Sequence, residues 1–197
     1  LFESSAASDV YKRQYQVRLT IGDWSQTRTL DYQKDPRLET TQADFIEQLR
    51  FAREVGAYGK RLYDALLQLR SVQGQALEIG KRLADAGYGD EALTAAREMN
   101  GKLDDVEAKL TQVQGEAGQD ALNFPGQLDN QINAVYSTVS GPNTPVLRGA
   151  YERWDDLEPQ LQPLIDQIQE IYGADLAAFN DLVRNMGAGP VIMKTQQ

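Results

Sequence analysis

From Thr41 towards the glycines at 87 and 89, apolar or small side chains recur every seven residues. Val55, Leu62, Leu69, Ala76 and Leu83 form one row; Phe45, Ala52, Gly59, Leu66, Gln73 and Gly80 form a second. A strand repeats every two residues and cannot produce this pattern, whereas a helix turning once in about 3.6 residues can. The chain is therefore committed to one helix of unusual length with a buried seam, and the rest of the molecule has to cover that seam. Thr40 or Thr41 is predicted as its cap, and Asp44 and Glu47 suit the positive end of the helix dipole. Glycines at 56, 59, 74 and 80 would each cost about 1 kcal/mol against alanine in an exposed helix. A close helical neighbour would account for them.

Gly87 to Asp90, GYGD, is predicted to end this helix and begin the next, with glycine in a left-handed cap and aspartate as the following N-cap. The second helix carries Ala96, Leu103, Leu110 and Ala117 interleaved with Ala92, Met99, Val106 and Val113; Glu107 is expected to face water. A third helix is predicted from Pro125 through Leu128, Ile132, Val135 and Val139, followed by the loop SGPNTP over Ser140 to Pro145. The fourth, opened by Pro145, carries Leu147, Ala150, Trp154, Leu157, Leu161, Leu164, Ile168 and Ile171. It continues with Leu176, Phe179, Val183 and Met186 after a break near Gly173. Pro159 and Pro163 are expected to bend it or to start a new helix, since each lacks a backbone donor. Together these segments predict a mainly α fold, an antiparallel bundle of about four long helices.

Ahead of the helices, YQVRLTIGDW places Tyr15, Val17, Leu19 and Ile21 on one face of a strand, Gly22-Asp23 makes a turn, and SQTRTLDYQ returns. Two strands bury too little to stand alone, so this hairpin is expected to be the remnant of a truncated β-domain. Asp35-Pro36-Arg37 closes the β part. Ser4 to Gln14, SSAASDVYKRQ, resembles a sequencing-library adapter translated in frame and is expected to pack on nothing. The resulting divisions are 1–14 leader, 15–37 hairpin and junction, 38–186 bundle and 187–197 tail.

Composition narrows the chemistry. With neither cysteine nor histidine among 197 residues, disulfides, thiolate nucleophiles, Cys/His zinc sites and imidazole bases are excluded within this chain. A net charge of -9 disfavours nucleic acid. No apolar run approaches the length of a membrane span. Paired carboxylates at Asp104-Asp105 and Asp155-Asp156 alternate with seam positions, which marks solvated helix faces more readily than acid/base pairs. No catalytic, cofactor-binding or metal-binding residue is assigned. One alternative is carried forward: Tyr151, Trp154, Asp155 and Asp156 as a carbohydrate-binding or hydrolytic cluster.

The hairpin followed by Asp35-Pro36-Arg37 and long helices resembles a junction in bacterial secreted β-propeller proteins of the sortilin-like, BNR-repeat class, often labelled glycosyl hydrolase-like. The elements that carry the resemblance are the Y-x-V-x-L strand, Gly22 in the turn, the DPR motif and Pro145. It implies a non-catalytic C-terminal accessory or interaction module, with the propeller and an immunoglobulin-like β-domain of the same protein as its partners, the hairpin being the remnant of that truncated immunoglobulin-like domain. It also implies an extracellular, periplasmic or envelope location. No catalytic residue carries over, because any active site of that class would belong to the propeller.

Overall fold

Three heptad rows, not two, are buried on the first long helix. The computed structural model describes residues 14–31, 34–115 and 123–193, and in it α1 runs Gln42–Asp85 without a break. Besides the two rows read from the sequence, Phe51, Tyr58, Val72 and Ile79 are buried, with half-buried Ala65 completing their seven-residue spacing. Three rows make a stripe wide enough to need helices on two sides. The helix begins at a capping box: Asp44 N donates to Thr41 Oγ1 at 3.2 Å, and Thr41 N donates to Asp44 Oδ2 at 2.8 Å. It ends in a Schellman motif, in which Gly87 N donates to Ala84 O and Tyr88 N to Leu83 O, with Gly87 at φ 85.

The second helix, α2 (Glu91–Leu110), folds back along the C-terminal half of α1. Gly80 is the tightest point, since a Cβ there would lie 2.8 Å from Leu93 Cα. Gly56 and Gly59 likewise face side chains of the third helix, but nothing lies within 4 Å of a Cβ at Gly74, so a close neighbour does not explain that glycine. α2 stops at Leu110; Val113 lies beyond it and is exposed, and Ala117 is outside the described residues. Asp90 occupies the N-cap position without a side-chain capping bond.

The third helix, α3 (Leu128–Ser140), starts three residues after Pro125, with Gln127 as N-cap, and buries Leu128, Ile132, Val135 and Val139 as expected. It covers the N-terminal half of α1: Ile132 meets Gly59, and Gln48 donates to Val139 O at 2.7 Å and Pro142 O at 2.6 Å, capping the end of α3. Thr111 Oγ1, just past α2, donates to Asp129 Oδ2 in the first turn of α3 at 2.7 Å. α2 and α3 therefore follow one another along α1, both antiparallel to it.

The last rod is α4 (Arg148–Ile171), a π turn (Tyr172–Leu176) and α5 (Ala177–Asn185). It returns in the direction of α1, pairing Tyr151 with Glu47, Arg61 with Gln162 and, further along, Gln75 with Ile192. The break expected near Gly173 is a π turn that keeps the rod continuous and buries Tyr172 and Leu176. α4 begins at Arg148 rather than at Pro145, Leu147 is exposed, and no new helix starts at Pro159 or Pro163. The chain stays on the bundle past Gly187: Val191 is in the core, its N donates to Asn180 Oδ1 at 2.8 Å, and Gln75 makes a reciprocal amide pair with the backbone of Ile192. In cross-section the bundle is three helices wide, although four rods build it.

The hairpin precedes this bundle, as expected. β1 (Gln14–Ile21) and β2 (Trp24–Asp31) pair antiparallel from Gln14 with Asp31 to Ile21 with Trp24, and Gly22 at φ 57 turns the chain. Of the segment Ser4 to Gln14 expected to pack on nothing, residues 4–13 lie outside the described residues, whereas Gln14 is the first residue of β1 and pairs with Asp31, so the division at 14 falls inside the strand. At the junction, the Asp35 carboxylate accepts from the Arg37 backbone and guanidinium, while Lys34 Nζ donates to Leu38 O and Thr40 O.

Glu107 corrects the sequence expectation. It is buried beside Leu103, Val106 and Leu110 and accepts from Arg70 Nε of α1 at 2.7 Å. Leu103→Ala is expected to cost about 2 to 5 kcal/mol as a buried truncation. Glu107→Ala should cost about 1 kcal/mol, because Arg70 keeps solvent contact when its partner is lost. Asp105→Ala, on the exposed side, should stay within about 0.5 kcal/mol. Denaturant unfolding of the three variants checks this order, and equal effects would contradict the register.

Candidate functional site

Burial along α4 divides the four residues of the proposed cluster. Trp154 is buried and Tyr151 half-buried on the inner side; Asp155, one turn from Tyr151, lies on the exposed flank, and Asp156 is turned further away. Tyr151 stacks on Phe51 of α1, ring centroids 4.6 Å apart, and its hydroxyl donates to Glu47 Oε1 at 2.8 Å. Trp154 is buried edge-on against Tyr58 at 5.0 Å and Phe51 at 6.1 Å, with Nε1 donating to Glu54 Oε1. Asp155 and Asp156 are exposed. The aromatics are thus part of the core between α1 and α4, and the cluster does not converge on a pocket.

The densest polar geometry of this region belongs to Tyr58, a residue outside the two rows read from the sequence. Its hydroxyl enters the hydrogen-bond ladder of α4 between the two prolines. Leu161 N donates to Tyr58 Oη at 3.0 Å, and Oη lies 2.7 Å from Glu158 O and 3.0 Å from Leu157 O. A regular helix would join Leu161 N–H directly to Leu157 O. Pro159 and Pro163 lack N–H groups and sit on the exposed side, so the ladder is already interrupted there. Tyr58 adds a side-chain connection across this part of the ladder from the buried side. Burial raises its phenol pKa. A signal for Tyr58 existed: Phe51, Tyr58, Ala65, Val72 and Ile79 are spaced by seven.

Glu47 sits at the rim of this aromatic group. Its hydrogen bonds from Arg50 and then Tyr151 hold the carboxyl well below its ordinary 4.5, at about 2. Elsewhere, burial alone pushes Tyr172 in the π turn up to about 12. Its hydroxyl and Asn100 Oδ1 are the buried side-chain polar atoms without a protein partner among the described residues. No group of three Asp or Glu side chains there is placed to hold a metal ion, and no helix there is long and apolar enough to cross a membrane.

The hairpin offers a different kind of surface. Residues opposite each other in an antiparallel pair share a face. Tyr15 with Leu30, Val17 with Arg28, Leu19 with Gln26 and Ile21 with Trp24 therefore form one side of the ribbon. Its six large apolar side chains are each 41% to 66% exposed. The other side is polar, with Arg18 donating to Ser25 Oγ at 3.0 Å.

Tyr58→Phe is expected to cost about 1 to 3 kcal/mol, since it leaves the Leu161 donor and the Glu158 acceptor without their bridge. Amide exchange at Leu161 should quicken in that variant, and unchanged exchange there would contradict the bridging role. For Glu47 the folded pKa is depressed, so its contribution is complete above about pH 4.5 and is lost as the pH falls towards about 2. With its side chain 43% exposed, the contribution should be under about 1 kcal/mol. Acid unfolding of Glu47→Gln beside the parent chain should show a difference that shrinks across that window. No protein-family model, curated protein or solved structure matches this chain, so the likeness of its hairpin and DPR junction rests on those residues alone.

Proposed function

We propose that this chain is a non-catalytic accessory module of a larger secreted β-propeller protein, in which the helical bundle braces the molecule and the hairpin completes a β-domain. The carrying observation is the one-sided apolar face of the hairpin. A two-stranded ribbon of this length is marginal in water, and its outer edges present unpaired backbone groups. A contiguous apolar face on it is better matched to an opposing sheet than to solvent. The resemblance at Tyr15 to Arg37 supplies the identity of that sheet as an immunoglobulin-like domain. Capture of the face by a sheet leaves the bundle undisturbed, because none of the described hairpin side chains is buried in its core.

The test is to place the immunoglobulin-like domain of the parent gene ahead of Tyr15 and to compare it with the chain alone. Amides of residues 16 to 30 are expected to become protected from exchange, and Trp24 emission to shift to the blue, while helical circular dichroism of the bundle is retained. Unchanged exchange in the joined protein would contradict the reading. So would glycoside or ester hydrolysis by the purified chain that disappears in Asp155→Asn or Asp156→Asn.

A further inference from the structure

α1 and α3 leave an open cleft of about 410 Å³ between them at the level of Gly56 and Gly59. The two glycines form part of its floor. A Cβ on Gly56 would come within 3.3 Å of the Tyr136 ring, and one on Gly59 within 3.6 Å of Ile132, so a larger residue at either place would intrude on the space. Tyr63 and Tyr136 form the walls and are 62% and 41% exposed. Neither hydroxyl makes a hydrogen bond among the described residues, and the exposed side-chain amides of Asn130 and Asn133 are equally free.

The lining also states what the cleft does not suit. Among the described residues that line it there is no lysine or arginine, so an anion would find no counter-charge from them. The carboxylate among its described lining residues, Asp129, is engaged: Oδ2 accepts from Thr111 Oγ1 at 2.7 Å and Oδ1 from Asn130 N at 2.6 Å. A cation would have to compete with both donors. What remains is a pair of phenol rings able to stack on an apolar ring face, with amides and hydroxyls that both donate and accept around them. The volume is in the range of small-molecule sites.

We infer that this cleft binds a neutral saccharide, one sugar ring lying against Tyr63 or Tyr136 with its hydroxyls bonded to Asn130 and Asn133. The inference is independent of the role proposed for the hairpin, and it places a sugar site on the opposite partner of α1 from Tyr151 and Trp154.

Isotope-labelled full chain titrated with cellobiose, maltose and di-N-acetylchitobiose tests it. For at least one of them, saturable shifts are expected at Gly56, Gly59 and Asn133. Tyr63→Ala and Asn133→Ala should each weaken that binding about tenfold, the loss of one stacking or hydrogen-bonding partner. Both positions are exposed, so helical circular dichroism should be unchanged in both variants. Gly56→Leu, which fills the floor and crowds the Tyr136 ring, provides a second block that removes none of the polar side chains. The inference is overturned by absence of saturation up to about 10 mM for all three sugars. Shifts that map away from the cleft, or variants that bind as well as the parent, overturn it too.

Discussion

A helix of 44 residues is about 66 Å long, and its apolar stripe has to be covered along that whole length. The helix that follows has 20 residues and reaches about 30 Å; the next has 13 and reaches about 20 Å. Neither covers α1 alone. Their placement in tandem, with Thr111 holding Asp129 at the joint, follows from this mismatch in length, and it leaves one long side for the returning rod. Prolines are tolerated in that rod because Pro159 and Pro163 face water, while its buried side is repaired by Tyr58. The polar groups that cross the bundle serve the same end: Gln48 closes the tip of α3, and Glu107 with Arg70 marks where α2 lies on α1.

Much of this was legible in the residues. Strict alternation placed the hairpin and its two-residue turn, and seven-residue spacing named most of the buried positions of all four rods. The glycine of GYGD has the left-handed backbone its position requires. What spacing could not reveal was which helix would meet which. Heptads specify a seam but not its partner, so the tandem arrangement of α2 and α3 and the parallel course of α1 and α4 emerge only from contacts. The end of α2 was hidden for the same reason. Val113 and Ala117 continue the numerical pattern, yet Thr111 turns to an extended backbone and its side chain bonds to Asp129. Glu107 was misassigned by its charge, although it lies four residues after Leu103 and three before Leu110, on their own face.

The same limit applies to the candidate sites. Tyr151, Trp154, Asp155 and Asp156 are neighbours in sequence, and sequence proximity drew them together; a helix separates such neighbours by about 100 degrees each. Tyr63 and Tyr136 are far apart in sequence and come to line one cleft where α3 packs against α1 beside Gly56 and Gly59. Their exposed rings were present in the sequence as tyrosines off the seam, but nothing in either segment alone indicated the other.

The joint between α2 and α3 has a further consequence. Gln112 Nε2 donates to Pro125 O at 2.9 Å, so residues 112 and 125 are held side by side at this joint. Closing a loop whose ends are already fixed together depends only weakly on its length, each doubling adding about 0.6 kcal/mol. The rods on either side are registered by their own contacts with α1 and by Thr111 with Asp129, not by the number of residues between them. The pairing of α2 and α3 with α1 is therefore expected to be insensitive to the length of sequence between residues 112 and 125.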